Sequence, residues 1–372
     1  MWSLAPRPNK CKGYIYPCGR NALEGLGFCY AHVEYFKREG IISTTTPVQE
    51  PMRMSASYVT RYNNCHGSAN LMEAIPGFEH PTRNNDGMKG EGTRLHKIFE
   101  LGVNSGRLRE AALLLVEIAR LWGPKRTAYL EQDEVKYITA YFLRHKVAPP
   151  LELPDLKQAL LEYKTVKDTD GNPKRNEDGT VTLVAAGVAP RRIEFVAEAL
   201  NYVQDIIDTM DPETLEVKVE VKTEVTWLET KPKTTVDLIL SDAHRMEVLD
   251  LKMGDIEVSP IMNEQLMYYA ESFGASNYDK VTLHILQRGY TDEWVLTPEV
   301  RERWVAEVQE SERAILAGDL TLKPGNHCKF CPANPHTRGD KGNKACPIMM
   351  TVLYGERNQR EDDDAVLGED DE

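Results

Sequence analysis

Three short segments in the middle of the chain read TTVDLIL (234–240), MEVLDLK (246–252) and NEQLMYY (263–269). The first two have the length and apolar content of β-strands, and the polar turn 241–245 joins them. The third belongs to a helix predicted over Pro260–Phe273, with a proline near its start. Two strands followed by a helix therefore form the centre of the predicted fold.

Further elements are predicted on both sides of this centre. Glu216–Trp227 alternates valine with charged residues, which is the two-residue period of a strand, and Val281–Gln287 is a further apolar strand. Leu108–Trp122 and Arg192–Met210 repeat apolar residues at three- and four-residue steps, which predicts amphipathic helices. Together these elements predict an α/β fold, with a central mixed β-sheet flanked by helices.

The apolar residues of the two amphipathic helices predict which helix faces pack in the core. In the first helix they are Leu113, Val116, Leu121 and Trp122, and in the second they are Ile193, Val196, Leu200, Val203 and Ile207.

Two carboxylates and a lysine stand on the central strands. Strand alternation sends Val248, Asp250 and Lys252 to one face, and Asp237 lies in the otherwise apolar preceding strand, where an unpaired carboxylate is costly. If the two strands pair in antiparallel fashion, Asp237 and Asp250 converge on one cation, and oxygen ligands suit Mg²⁺ or Mn²⁺. Lys252 would then orient or deprotonate an attacking water. The alternative is a hairpin with a solvated polar face.

The helix that follows adds Gln265 and Tyr269, which lie four residues apart on one helix face. With Asp237, Asp250 and Lys252, this order resembles the PD-(D/E)XK nuclease superfamily, in its RecB-like and AddB-like branch and specifically the phage-encoded type. The resemblance implies a restriction-endonuclease-like core. It also implies that Asp237, Asp250 and Lys252 are catalytic residues and that Gln265 and Tyr269 bind the substrate.

The same resemblance extends to residues outside the central strands. His96, in EGTRLHKIFE (91–100), is similar to the family's upstream metal-binding histidine, and Glu220 is similar to a further carboxylate near the metals. The backbone carbonyl of Leu251, which lies between Asp250 and Lys252, would be a further metal ligand. Val236 stands where the family pattern has proline, and the resemblance covers roughly Ser55 to Cys346.

The first of two cysteine sets lies near the beginning of the chain. Its members are Cys11, Cys18, Cys29 and His32, separated by six, ten and two residues. Three thiolates and one imidazole suit a tetrahedral structural Zn²⁺, and so small a module would have little core without the metal. We therefore predict a zinc-binding module over residues 1–45; unrelated free cysteines are the alternative.

The second set contains a Cys-x-x-Cys pair. Its members are Cys65, Cys328, Cys331 and Cys346. Several members of the RecB-like branch hold a [4Fe-4S] cluster with one cysteine before the nuclease core and three after it, so the resemblance implies such a cluster here. Fourteen residues separate Cys331 from Cys346, more than is common in the family, and His327 or His336 would allow a Zn²⁺ site instead.

Composition and charge narrow the function classes. A formal charge of -13 argues against a protein that coats nucleic acid by bulk electrostatics, but eight acidic side chains fall in the last twelve residues. The acidic tail, 356–372, is predicted to be disordered, and 55–350 is predicted to be the nuclease domain with its C-terminal cysteines.

No apolar run approaches the length of a bilayer span, which predicts a protein that does not contact the membrane. The predicted location is the cytoplasm, that of the host cell if the protein is phage-encoded.

The resemblance implies a metal-dependent deoxyribonuclease that hydrolyses DNA phosphodiester bonds, with exonucleolytic cutting as the expected mode. Its role would lie in phage DNA recombination, replication or host-DNA degradation. The implied partners are DNA and a helicase, a single-strand-binding protein or a recombination protein, since the sequence contains no helicase motif. The alternative function is a non-catalytic DNA-binding or recruitment factor on a nuclease scaffold.

Overall fold

The structure is a computed structural model of the whole chain. It describes residues 54–74, 88–122, 136, 139–140, 144, 149–151, 153–160, 162–165, 174–175, 183–186, 188–254, 256–319, 321–331, 333–334 and 346. The predicted zinc module at 1–45 and the predicted acidic tail at 356–372 lie outside these residues.

The described residues fall into two compact units. The first unit takes its residues from Met1–Thr82, Glu224–Lys233 and Pro298–Glu372, and the second from Arg83–Thr223 and Thr234–Thr297. The two groups of candidate site residues fall in different units: the carboxylates and Lys252 belong to the second unit, and the four described cysteines belong to the first.

The elements follow one another as a helical region, a small hairpin and a larger sheet. In chain order they are α1 (Val59–Asn64), α2 (His66–Ala74), α3 (Met88–Asn104), α4 (Leu108–Trp122), α5 (Leu153–Leu160), β1 (Glu162–Thr165), β2 (Leu183–Ala186), α6 (Pro190–Ile207), β3 (Glu216–Glu224), β4 (Lys233–Ser241), β5 (Arg245–Lys252), α7 (Glu264–Ser272), β6 (Lys280–Gln287), β7 (Tyr290–Val295) and α8 (Pro298–Leu316).

The larger sheet has the strand order β3-β4-β5-β6-β7. β4 and β5 pair antiparallel, with Leu238 opposite Leu249, as the sequence predicted. β5 and β6 pair in parallel, with Lys252 opposite Gln287, because the chain crosses over through α7 between them. β6 and β7 are again antiparallel. The predicted mixed sheet flanked by helices is therefore confirmed, and β7 is an added strand that the sequence reading did not include.

The core of the second unit lies between helices α3 to α6 and one face of strands β4 to β6. Leu238, Leu249 and Leu251 supply the sheet side of this core. On α6, Ile193, Val196, Leu200 and Val203 are completely buried, which confirms the apolar face predicted for that helix.

The predicted core face of α4 is wrong for Leu113 and Leu121, which are exposed, whereas Val116 is half-buried against the core and the side chain of Trp122 is not among those described. Leu113 is 67% exposed and Leu121 is 42% exposed. The residues that α4 buries are Ala111, Ala112, Leu114, Leu115, Ile118 and Ala119. α4 packs against α6 through a face that contains three alanines, and short side chains let two helices approach closely. The periodicity of the large apolar residues alone pointed to a neighbouring face.

The first unit is held by buried polar contacts as well as apolar ones. Glu312 on α8 accepts hydrogen bonds from the backbone N–H groups of Glu229 and Thr230, at 2.8 and 3.0 Å. The rings of Trp227 and Trp304 lie 5.8 Å apart between centroids. In the part of the chain that the structure describes, no helix combines the length and the apolar character needed to cross a bilayer.

Candidate metal centre and adjoining cleft

The antiparallel pairing of β4 and β5 brings Asp237 and Asp250 into one region of the second unit. The carboxylate of Asp237 accepts a hydrogen bond from the backbone N–H of Leu251 at 2.8 Å, which fixes the Asp237 side chain against the end of β5. Lys252 Nζ lies 2.7 Å from Asp250 Oδ2, and the side chain of Asp250 is only 5% exposed.

Three potential metal ligands meet beside these strands. One ligand atom each from His96, Glu220 and Asp237 can be chosen so that all three lie within 4.8 Å of one another. His96 Nδ1 is 3.4 Å from Glu220 Oε1 and 3.5 Å from Asp237 Oδ2. Glu220 Oε1 is buried, and no described residue hydrogen-bonds to it. One imidazole nitrogen and carboxylate oxygens form a donor set that suits a divalent cation.

The backbone of Glu220 is in an uncommon conformation. Its φ is +46°, in the left-handed region that residues other than glycine rarely adopt. Such a conformation costs on the order of 1–3 kcal/mol, and strain of this kind clusters at functional sites. In β3, an edge strand of the sheet, it accompanies the position that contributes a ligand atom to the cluster.

The electrostatics of the site reflect its buried carboxylates. Burial alone lowers the pKa of His96, but the adjacent carboxylates of Asp237 and Glu220 outweigh burial and raise this pKa to about 10. Burial raises the pKa of Asp250, the carboxylate of Asp237 adds to that rise, and Lys252 opposes it. A cation at this position would relieve the repulsion between the carboxylates, so the site has the charge that a metal requires.

A chain of hydrogen bonds links Lys252 to α7. Lys252 Nζ donates to Gln265 Oε1 at 3.0 Å, and Gln265 Nε2 donates to the hydroxyl oxygen of Tyr269 at 2.7 Å. The spacing of four residues puts Gln265 and Tyr269 on one face of α7, as the sequence predicted. The helix begins after Asn263, whose side chain accepts the N–H of Leu266 at 3.1 Å. Gln265 and Tyr269 thereby hold Lys252 in place.

A cleft of about 280 Å³ opens next to Lys252 within the second unit. Arg192, Lys252, Arg288 and Tyr290 are among its lining residues. Its wall includes the segment that directly follows Lys252. Gln287 pins this segment, because its side chain accepts the N–H of Val258 and donates to the carbonyl oxygens of Gly254 and Ile256 at 2.6 and 2.7 Å.

The four described cysteines line one small cavity in the first unit, of about 10 Å³. They are Cys65, Cys328, Cys331 and Cys346, all buried and none in a disulfide. Among the residues that the structure describes, no three ligand atoms at this cavity lie within 4.8 Å of one another. Cys65 Sγ accepts the N–H of Lys323 at 3.4 Å, and burial raises the pKa of Cys65 and of Cys331.

Some predicted site residues lie elsewhere than predicted, and others lie outside the described residues. The three-ligand cluster contains Glu220, whereas Asp250 lies against Lys252. The described contact of the Leu251 backbone is through its N–H, and the predicted carbonyl ligand stays a prediction. His327 lines the cysteine cavity, and its Nε2 lies 3.0 Å from the carbonyl oxygen of Lys323. The residues Cys11, Cys18, Cys29, His32 and His336 lie outside the described residues.

The sequence reading missed Glu91, Arg192, Gln287, Arg288 and Tyr290. Glu91 Oε1 accepts the N–H of Ala189 at 2.9 Å, just before α6, and its other oxygen is 3.6 Å from Arg192 Nη1. The sequence Gln-Arg-Gly-Tyr at 287–290 predicts a turn after an apolar strand, and a turn signature does not predict a neighbouring cleft.

The fold and the site define an α/β protein with a five-stranded mixed sheet and a histidine–carboxylate cluster. A family model described as "protein of unknown function (DUF2800)" matches residues 158–356, just over half of the 372 residues. The chain therefore belongs to the DUF2800 family. The matched region contains β3 to β7 and α7, whereas His96 and Cys65 precede it.

The remaining comparisons give little further likeness. No curated protein matches the chain. Among solved structures, the chain is similar to the crystal structure of SSO0001, at 16% identity and a TM-score of 0.23, over 38% of this chain and 71% of that one.

Proposed function

We propose that this protein is a Mg²⁺- or Mn²⁺-dependent deoxyribonuclease of the PD-(D/E)XK type, on a restriction-endonuclease-like core. The observation that carries the proposal is the convergence of His96, Glu220 and Asp237 beside the Asp250–Lys252 pair. His96 and Glu220 stand far from Asp250 in the sequence, and the fold brings them to the same region of the second unit. The RecB-like, AddB-like resemblance supplies the class of reaction.

The residues present fit a divalent cation. Glu220 Oε1 is a buried acceptor with no hydrogen-bond donor among the described residues, and it lies in the cluster with His96 and Asp237. His96, Glu220, Asp237 and Asp250 would hold the ion, with the Leu251 carbonyl as a predicted further ligand. The ion would supply charge stabilisation at the phosphoryl oxygen and a water of lowered pKa.

The protein's own groups would position the reaction. Lys252, held by Gln265 and paired with Asp250, would orient the attacking water as an ammonium group. Its ammonium would also stabilise the negative charge that develops on the phosphoryl group. Tyr269 would act through Gln265, as a positioning residue for Lys252. Burial of Asp250 keeps these interactions in a low-dielectric environment, where each of them is stronger than in water.

We also propose that Cys65, Cys328, Cys331 and Cys346 hold a [4Fe-4S] cluster. The four described cysteines line one cavity, and four thiolates are the usual ligands of such a cluster. A Zn²⁺ site is the alternative, and a structural Zn²⁺ at 1–45 remains a prediction.

The experiment that tests the nuclease uses end-labelled linear single- and double-stranded DNA with Mg²⁺, Mn²⁺ or EDTA. Asp250→Ala and Lys252→Ala are compared with Asp279→Ala, a carboxylate control whose side chain is 82% exposed in the same unit. Anaerobically purified protein is used beside aerobic protein, because a cluster would be lost to oxygen. We expect metal-dependent cutting that falls at least about 100-fold in the two site variants, in line with the loss of one catalytic group. If the wild-type protein binds DNA and cuts it under no condition, the scaffold function replaces this proposal.

A further inference from the structure

A buried positive charge lies close to the four-cysteine cavity of the first unit. Arg61, on α1, is only 6% exposed. Its guanidinium lies against the rings of Tyr58 and Tyr62, at 4.5 and 4.8 Å from their centroids, and Nη2 donates to the Tyr62 hydroxyl at 3.2 Å. The N–H of Arg61 Nε is buried and has no acceptor among the described residues.

The two aromatic rings do not neutralise this charge. A guanidinium stays protonated in proteins, and a buried charge is costly unless an opposite charge compensates it. Aromatic rings attract a cation through their quadrupole, but they carry no net charge. Among the described residues, no carboxylate forms an ion pair with Arg61. The buried arginine therefore needs an anionic partner that the described carboxylates do not supply.

The four-cysteine site lies where such a partner is needed. The N–H of Cys65 donates to the carbonyl oxygen of Arg61 at 2.8 Å, so this cysteine follows the arginine by one helical turn. α1 also packs against the short 3-10 turn Asn326–Phe330, which contains Cys328. Burial raises the pKa of Cys331, and the charge of Arg61 opposes this rise. The guanidinium therefore acts electrostatically on a thiol of the site, within the first unit.

The charge of the cysteine site changes when it is loaded with a metal. Metal ligation deprotonates the thiols, and four thiolates carry more negative charge than a Zn²⁺ ion or an oxidised [4Fe-4S] core neutralises. Apart from the cysteines, the titratable lining residues of the cavity are Lys323 and His327, and no carboxylate is among the described ones. A loaded site is therefore an anion beside the uncompensated charge of Arg61.

We propose that Arg61 compensates the negative charge of the loaded four-cysteine site and thereby favours the reduced state of a [4Fe-4S] cluster. The inference rests on the proposed cluster and adds the residue that tunes it. Reduction adds an electron to a site that is already negative, so a nearby buried cation stabilises the reduced form more than the oxidised form. Charge and hydrogen bonds around the sulfur atoms are among the features that set the potential of iron–sulfur clusters.

The test measures the midpoint potential of anaerobically purified protein, by dithionite titration followed by electron paramagnetic resonance. Arg61→Met removes the charge and keeps a long side chain, and Arg313→Met removes the charge of an arginine that is 66% exposed in the same unit. For Arg61→Met we expect reduction to become about tenfold less favourable, in line with the loss of one charge-assisted hydrogen bond. For one electron this is a potential lower by about 59 mV. Arg313→Met should leave the potential unchanged, and Arg61→Lys, which keeps the charge, should shift it less than Arg61→Met.

The potential separates charge compensation from simple packing. If Arg61 only packs on the two tyrosine rings, Arg61→Met lowers the melting temperature and leaves the potential at its wild-type value, and this result would overturn the inference. If Arg61→Met assembles no iron cluster, Zn²⁺ affinity decides instead, measured by chelator competition on metal-free protein. Binding about tenfold weaker than in the wild type and in Arg61→Lys supports the inference, and equal binding in all three overturns it.

The inference and the cluster fail in different ways. An iron cluster whose potential does not respond to Arg61→Met leaves the cluster standing and overturns the inference. Wild-type protein that holds zinc and no iron ends the [4Fe-4S] proposal, and the Zn²⁺ competition then decides the role of Arg61 by itself. Wild-type protein that binds neither metal overturns both.

Discussion

Gln287 offers the sharpest test of how the structure holds the segment after Lys252. Its side chain is 5% exposed and makes three hydrogen bonds to the backbone of Gly254, Ile256 and Val258. Gln287→Leu keeps a similar volume and removes all three bonds. Each such bond contributes about 0.5–1.5 kcal/mol net. Because Ile256 is 60% exposed, the released backbone groups can reach water, so we expect a loss of about 2 kcal/mol rather than the full sum.

Two measurements follow this change. Urea-induced unfolding gives the stability, and amide hydrogen exchange at Val258 reports the released segment directly, because its N–H donates to Gln287 in the native state. Gln204→Leu is the matched control, since the side chain of Gln204 donates to the exposed carboxylate of Asp208, and its change should stay within about 0.5 kcal/mol.

The functional consequence of Gln287→Leu is separable from its effect on stability. The segment that Gln287 pins lines the cleft and follows Lys252, so DNA turnover should fall while Mn²⁺ affinity stays unchanged. The reasoning is refuted if the Val258 amide exchanges at the same rate in Gln287→Leu and in the wild type.

Three further outcomes are expected. The raised pKa of about 10 means that metal-free His96 is protonated at neutral pH, so its stabilising contacts are complete below pH 6.5 and are lost as the pH rises through about 10. A bound Mn²⁺ must displace this proton, and calorimetry should show affinity rising up to tenfold per pH unit between pH 6.5 and 9; a flat profile would contradict the assignment of His96. Cys331→Ser should abolish visible iron–sulfur absorption and lower the melting temperature of anaerobic protein. Zinc and no iron in the wild-type protein would favour the zinc alternative. Gly102→Ala places a Cβ 2.6 Å from the buried Leu200, and overpacking of about 1–3 kcal/mol should exceed the helix gain of about 1 kcal/mol, so urea unfolding should show a net loss.

Local patterns predicted a large part of the sheet and of the site. The bounds of β4, β5 and β6 agree with the predicted strands to within one residue at each end, because their apolar runs are bounded by polar turns. The helix predicted over Pro260–Phe273 is shorter in the structure, Glu264–Ser272. Met262 has a φ of +53°, which a helix cannot include, so the helix begins only after Asn263.

The tertiary structure alone decided which of these groups meet. The sequence determined the positions of the carboxylates and Lys252 along β4 and β5, because alternation is a local property of a strand. It also determined the spacing of Gln265 and Tyr269 on one helix face. His96 lies close to Glu220 and Asp237 because α3 packs against the sheet. Cys65 lines one cavity with the three later cysteines because of the packing of the first unit. Contacts between segments far apart in the chain come from burial of whole helix and sheet faces, and no local pattern around any one of these residues specifies them.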